Sequence, residues 1–311
     1  MKEIVISENN SGQRFDKFLI RLLSNSSSSF VYKMLRKKNI TLNDRKSDGK
    51  DILNKGDVVK IWFSDETYEK MTSMDVSTDL NKPTNHQMTK LNVVYEDTNV
   101  MIINKPVGVL SQKAKESDIS LNELIIDYLI NKGEISKADL NFYKPSTVNR
   151  LDRNTSGLIV AAKNLKAAQI LSEGFKDRSI SKYYKCLCHG KVTKGDTIEG
   201  YLHKDNKTNK VTIHDKEVTD SAYIKTEYKP LEVLDNKTLL EIHLITGKTH
   251  QIRAHLASIG HPLCGDSKYG AVDNYKYQCL HCYKMIFPKY EGTLENISEK
   301  SFYGDMEKSW T

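Results

Sequence analysis

From Arg14 to Leu23 the apolar residues Phe15, Phe18, Leu19, Leu22 and Leu23 recur at helical spacing, while Arg14, Lys17 and Arg21 fall on another side. That pattern predicts an amphipathic helix with a basic flank. The serines Ser26 to Ser29 supply N-cap candidates for a second helix, with Val31, Met34 and Leu35 inward and Lys33, Arg36, Lys37 and Lys38 outward. Ile40 and Leu42 then alternate with polar neighbours, and Gly56-Asp57 introduces the run Val58 to Phe63, so short strands follow the two helices. Residues 65–90 are poor in large apolar side chains and rich in small polar and charged ones, which predicts a linker.

At Leu91 the character changes. Val93 to Tyr95 and Val100 to Ile103 make a hairpin around Glu96-Asp97-Thr98-Asn99, ending in Asn104-Lys105-Pro106-Val107-Gly108. Helical spacing predicts a helix from Ser120 to Lys132 and another from Lys166 to Lys176; the continuous run Leu158 to Ala162 reads as a buried strand between them. Lys182 to Cys188 alternates like a strand, and Ala222 to Tyr228 and Thr238 to Leu244 read as strands paired around Asp235-Asn236. Gly247 marks a strand-to-helix transition, Thr249 offers a cap, Ile252 and Leu256 face inward, and His250 and Arg253 share the adjacent face. Gly265 to Gly270 reads as turns, and the polar residues 289–311 as a tail.

Length and charge divide this chain further. Its 311 residues suggest two domains, and 38% apolar residues suffice for a substantial core. The net charge of +7 is uneven: residues 1–64 hold 13 Lys and Arg against 7 Asp and Glu, and the remainder is nearly neutral. A small basic module ahead of a neutral one is the asymmetry of a protein tethered to a polyanion. Without an apolar run of ~20 residues or a signal-peptide pattern, a cytoplasmic protein with no membrane partner is expected. Five cysteines fit reduced thiols there. Cys279-Leu280-His281-Cys282 invites a zinc reading, but no second ligand pair at matching spacing supports it, so no metal is expected. There is no glycine-rich phosphate loop and no seryl nucleophile elbow.

The stretch with most chemical promise is Asn149-Arg150-Leu151-Asp152-Arg153-Asn154-Thr155-Ser156-Gly157, a polar segment delivering a carboxylate to a strand edge. Flanking cations favour a charged Asp152, a candidate nucleophile or base. It equally suits a turn opener between solvated arginines. Lys105, at a strand exit, is either a ligand contact or a loop lysine, and Tyr184 either packs on the core or offers a platform for a base.

Taken together, residues 91–288 resemble the RluA-type pseudouridine synthases. The likeness is carried by Val93 to Gly108, Asn149 to Gly157, Lys182 to Gly190, and Leu244 to Gly265 with its Gly-Lys-Thr-His-Gln-Ile-Arg core. Residues 1–64 are similar to the αL RNA-binding domain first named from a small-subunit ribosomal protein, through Arg36-Lys37-Lys38, Ile40 to Asn43 and Gly56-Asp57-Val58-Val59. The resemblance implies an α+β pseudouridine synthase fold, a mixed and mainly antiparallel curved sheet flanked by helices. A linker (65–90) and a C-terminal tail (289–311) complete the expected organisation.

It further implies an isomerase that turns specific uridines into pseudouridine without cofactor, with large-subunit ribosomal RNA as the expected partner and a monomer expected. By the same resemblance Asp152 is the catalytic aspartate, Tyr184 the active-site tyrosine and Arg253 the arginine that pairs with the aspartate. Lys105, Arg150, Leu151, Arg153, Thr155, Lys248, His250 and Gln251 are expected at the substrate, and Arg14, Lys17, Lys33, Arg36, Lys37 and Lys38 on RNA phosphates. Asn149 and Lys248 depart from the usual histidine and arginine, which bears on RNA contacts rather than on chemistry. Two other classes compete: a non-catalytic RNA-binding or ribosome-assembly factor, and a zinc-dependent RNA-modifying enzyme.

Overall fold

In the N-terminal segment three helices and three strands close over one apolar cluster. The computed structural model describes residues 1–7, 10–72, 91–115, 118–137, 139–205 and 211–306. The segment contains β1 (Lys2–Val5), α1 (Phe15–Leu22), α2 (Ser28–Arg36), β2 (Ile40–Leu42), β3 (Val58–Ile61) and α3 (Asp65–Thr72). The strands pair antiparallel in the order β1-β3-β2. Phe15, Phe18, Leu19 and Leu22 of α1 are buried with Val31, Met34 and Leu35 of α2, as their spacing requires. Each such side chain contributes roughly 1.5–3 kcal/mol. Ser27 caps α2 by accepting a hydrogen bond from the Phe30 amide.

The expected linker is corrected at its start: residues 65–72 form α3, because Tyr68 and Met71 pack on the same core. Residues 73–90 lie outside the described residues. Ile125–Ser146 and Ala162–Ile170 group with the N-terminal segment in one compact unit. There the Phe142 ring stacks on Phe18, and the Phe142 carbonyl accepts a hydrogen bond from Arg21.

Strands dominate the second unit: β4 (Val93–Glu96), β5 (Val100–Lys105), β6 (Ser146–Thr147), β7 (Ser156–Ala162), β8 (Ser181–His189), β9 (Asp196–Lys204), β10 (Val211–His214), β11 (Ser221–Leu234) and β12 (Lys237–Leu244), then β13 (Leu280–Ile286) and β14 (Ser301–Tyr303). The helices beyond α3 are α4 (Leu121–Asn131), α5 (Leu165–Lys176) and α6 (Gln251–Ser258). The sheet runs β10-β9-β11-β12-β8-β13-β7-β5-β4, with β6 beside β7 and β14 beside β13. Neighbours from β10 to β13 are antiparallel, and β13 meets β7 in parallel. This is the mixed, mainly antiparallel sheet expected.

Gly157 permits the parallel contact: at φ 114 it lies so near β13 that a Cβ would sit 2.3 Å from the Cys282 carbonyl oxygen. The expected tail is also corrected. Leu294 and Ile297 are buried in a short 3-10 segment, β14 extends the sheet, and Phe302 meets the rings of Tyr95 and Phe287. Three apolar side chains in a polar stretch suffice to dock it. Among the described residues no helix is long and apolar enough to cross a membrane.

Candidate active site

Between β6 and β7 the chain turns, and the turn carries Asp152. The Thr155 amide donates to the Asp152 carbonyl at 3.0 Å. Ser111 grips the preceding residue twice, donating to the Leu151 carbonyl and accepting from its amide. The loop after β5 straps the other side: the Gly108 amide and the Lys105 ammonium both donate to the Arg153 carbonyl, at 2.9 and 3.1 Å. Asp152 is thus fixed by its backbone, while its side chain stays 27% exposed.

The second contributor is the transition from β12 to α6. Gln251 closes it with all of its amide, accepting from the Thr246 hydroxyl and the Lys248 amide and donating to the Lys225 carbonyl and the Thr226 hydroxyl. His250 occupies the N-cap in the left-handed region (φ 56), without a capping bond. That conformation is costly for a non-glycine residue and is held by its surroundings. The cap expected from Thr249 does not form, because the helix begins one residue later than it would require.

Arg253 follows on the first turn of α6 and is buried. Its Nη1 donates to Asp152 Oδ2 at 2.9 Å, while Nε and Nη2 donate to the two oxygens of Asp266 at 2.7 and 2.8 Å. The guanidinium lies 5.1 Å from the Tyr269 ring centroid. His250 Nδ1 is 2.9 Å from the Tyr269 hydroxyl, and its Nε2 is 3.7 Å from Asp152.

Burial works against the Arg253 charge, but the paired hydrogen bonds to Asp266 and the charges of both carboxylates outweigh it and raise its pKa. For His250, burial is the largest influence and lowers the pKa in spite of Asp152. At neutral pH its contact with Asp152 is therefore that of a neutral imidazole, not an ion pair.

Tyr184 comes from the middle of β8, opposite Ile242 of β12 and Cys282 of β13. It is 5% exposed, and burial first, then Cys282 and Asp152, hold its phenol protonated far above neutral pH. Asp152, Arg253 and Tyr184, some 100 residues apart at the extremes of sequence, are thereby gathered in one unit.

Other expected contacts fare differently. Lys105 is corrected: 1% exposed, it donates to the carbonyls of Pro106, Val109 and Arg153, so its charge braces the loops rather than reaching outward. Gln251 and Leu151 are likewise committed inside, and Thr155 is buried, its hydroxyl accepting from Gln278. Arg150, Arg153 and Lys248 are exposed, and Arg153 also donates to the Gly108 carbonyl. Asn149 uses its side chain to accept from the Val160 amide.

In the first unit Lys17, Lys33, Arg36, Lys37 and Lys38 are exposed. Arg14 is exposed but engaged by the buried Asp16, which also accepts from Tyr32. His281 and Cys282 of the Cys279-to-Cys282 run do not share a site with Cys279: His281 contacts the Ser156 hydroxyl and the Gly304 carbonyl, and Cys282 lies against Tyr184. Asp266 and Tyr269 escaped the sequence reading inside an apparent turn. The available signal was arithmetic, since a guanidinium with five donors cannot be satisfied by one partly exposed carboxylate.

Comparison with known proteins assigns the chain to a family. Residues 99–258 match the family model described as RNA pseudouridylate synthase. The chain is 32% identical over 298 residues to an uncharacterized RNA pseudouridine synthase of Mycoplasma genitalium, covering 93% of this chain and 90% of the relative. It is 33% identical to the ribosomal large subunit pseudouridine synthase C of Rickettsia conorii, covering 86% of each. Among solved structures, human RNA pseudouridylate synthase domain containing 4 superposes with a TM-score of 0.56 at 19% identity, covering 70% of this chain and 90% of that one, which speaks for the fold alone. Matched over half its length by the family model and nearly end to end by such relatives, the chain belongs to the RluA-type RNA pseudouridine synthases.

Proposed function

We propose that the protein isomerises uridines of large-subunit ribosomal RNA and that Asp152, Arg253 and Tyr184 carry the reaction. The observation behind this is the buried Arg253, whose guanidinium is anchored on Asp266 and presents one remaining N–H to Asp152 at 2.9 Å. Relatives named for the ribosomal large subunit supply the choice of RNA.

The reaction breaks the bond between uracil N1 and the ribose, turns the base, and joins C5 to the same ribose carbon; the proton lost from C5 is balanced by one gained at N1. No electrons are exchanged. A carboxylate serves either as nucleophile toward the ribose or the uracil ring, or as the base that deprotonates ribose. Arg253 sets its position and offsets its charge. Tyr184, an uncharged phenol at neutral pH, stacks against the base and is placed to take part in late proton transfer.

A uridine must leave its stack to reach Asp152, at a cost of a few kcal/mol. Exposed Arg150, Arg153 and Lys248 offset that cost on neighbouring phosphates, while Lys33, Arg36, Lys37 and Lys38 along and beyond α2 add further phosphate contacts. Mapping pseudouridines in ribosomal RNA from cells with and without the gene tests the target. Specific large-subunit positions should revert to uridine; an unchanged map would refute it.

A further inference from the structure

We propose that His189, Cys264 and Asp273, with Cys279 as fourth ligand, form a structural zinc site that ties the Asp266 loop to the end of β8. The argument does not depend on the RNA target or on the catalytic roles above. His189, Cys264 and Asp273 each offer a ligand atom, all within 4.8 Å of one another, and among the described residues they are the one such group of three. They come from three separate places: the last residue of β8, the turn after α6, and the loop before β13. Local sequence alone does not explain their meeting.

Asp273 is preorganised. Its carboxylate accepts from the amides of Gly265 and Tyr275 and stands 2.6 Å from His189 Nε2. Cys279 joins through its amide, which donates to the Cys264 carbonyl at 2.8 Å, and through packing with Cys264 and Leu187 in one buried cluster. Strand alternation sets the choice of thiols: Leu187 and His189 project from one face of β8, Cys186 and Cys188 from the other, and Cys282 lies opposite Tyr184. Cys264 and Cys279 pack with Leu187, which shares its face of β8 with His189.

Mixed sulfur, nitrogen and oxygen donors suit zinc rather than a hard cation. Metal–ligand lengths of about 2.0–2.3 Å place tetrahedral donors roughly 3.3–3.8 Å apart, so His189, Cys264 and Asp273 must tighten by about 1 Å, the His189–Asp273 contact opens by a similar amount, and the Cys279 sulfur, outside that group of three, must swing in to complete the set. Binding as thiolates sends both thiol protons to solvent.

One Zn²⁺ with two thiolates and a carboxylate leaves one net negative charge. Lys237, seated on the Tyr275 ring and close enough to influence Cys264 and Cys279, balances it. The site closes the segment 264–279, which carries Asp266 two residues after Cys264, and it anchors the strand carrying Tyr184 five residues before His189.

The test is Co²⁺ titration of chelator-stripped full-length protein under anaerobic conditions. One equivalent should bind, with tetrahedral visible bands and a thiolate-to-metal charge-transfer band, both erased by Zn²⁺. Cys264→Ser should lose the charge-transfer intensity of one thiolate, and His189→Gln, checked by circular dichroism for folding, should bind at least about tenfold more weakly. Cys186→Ser should behave as wild type. Absence of the tetrahedral spectrum in wild-type protein, or a spectrum and affinity unchanged in Cys264→Ser and His189→Gln, would overturn the proposal.

Discussion

Replacing Asp266 by Asn separates the support of the site from the site itself. Asp266 is 2% exposed, and both its oxygens are taken by Arg253. The amide keeps the shape but turns one acceptor into a donor facing an N–H. Losing one charge-assisted hydrogen bond should lower stability by about 2–3 kcal/mol. The larger effect is expected on rate. With a single amide oxygen left to hold it, the guanidinium turns toward Asp152, and a displacement of about 1 Å in a reacting group costs on the order of 100-fold.

The assay is multiple-turnover pseudouridine formation on a short RNA, with kcat and KM separated and urea unfolding run in parallel. We expect kcat to fall about 100-fold with KM nearly unchanged, because Asp266 touches no substrate. Asp266→Glu should recover part of kcat. A folded Asp266→Asn protein with kcat within about threefold of wild type, under 1 kcal/mol in barrier, would refute the idea that Asp266 positions Arg253.

Other expectations concern fold and RNA binding. Burial lowers the pKa of His255 from 6.5 to about 4, and its Nε2 has no hydrogen-bond partner. The unfolded chain therefore binds the additional proton, and stability should fall by about 3 kcal/mol as pH drops through that window. Urea unfolding at several pH values should show this slope, flattened in His255→Gln. Gly157→Ala should destabilise by about 3–5 kcal/mol, since its Cβ would meet the Cys282 backbone, and a thermal melt near wild type would contradict the close approach. Changing Arg36, Lys37 and Lys38 together to Ala should weaken RNA binding and reduce the slope of log affinity against log salt by about 2, as filter binding at graded salt would reveal.

Much of the fold was legible where periodicity is strong. The faces of α1, α2 and α5, the β4–β5 hairpin and the paired β11 and β12 follow directly from spacing. The Asp152–Arg253 contact was legible only through resemblance, because local pattern says nothing about partners 101 residues apart. Asp266 was hidden because Gly265-Asp266 carries the residues of an ordinary turn. Gly265, at φ 77, is indeed a turn residue, but the turn exists to bring a carboxylate under a buried guanidinium.

Lys105 misled for the opposite reason. A lysine at a strand exit resembles a phosphate contact, yet three carbonyls were near enough to take all its donors. The polar tail concealed Leu294, Ile297 and Phe302 because anchors this sparse create no period.

The central claim is that Asp152 performs the isomerisation. The most direct measurement is conversion of uridine in ribosomal RNA by purified Asp152→Asn beside wild-type protein, with RNA affinity determined on the same preparations and no cofactor added. The account predicts conversion by the wild type, none by the variant, and closely similar affinities. Conversion by Asp152→Asn at the wild-type rate would contradict it.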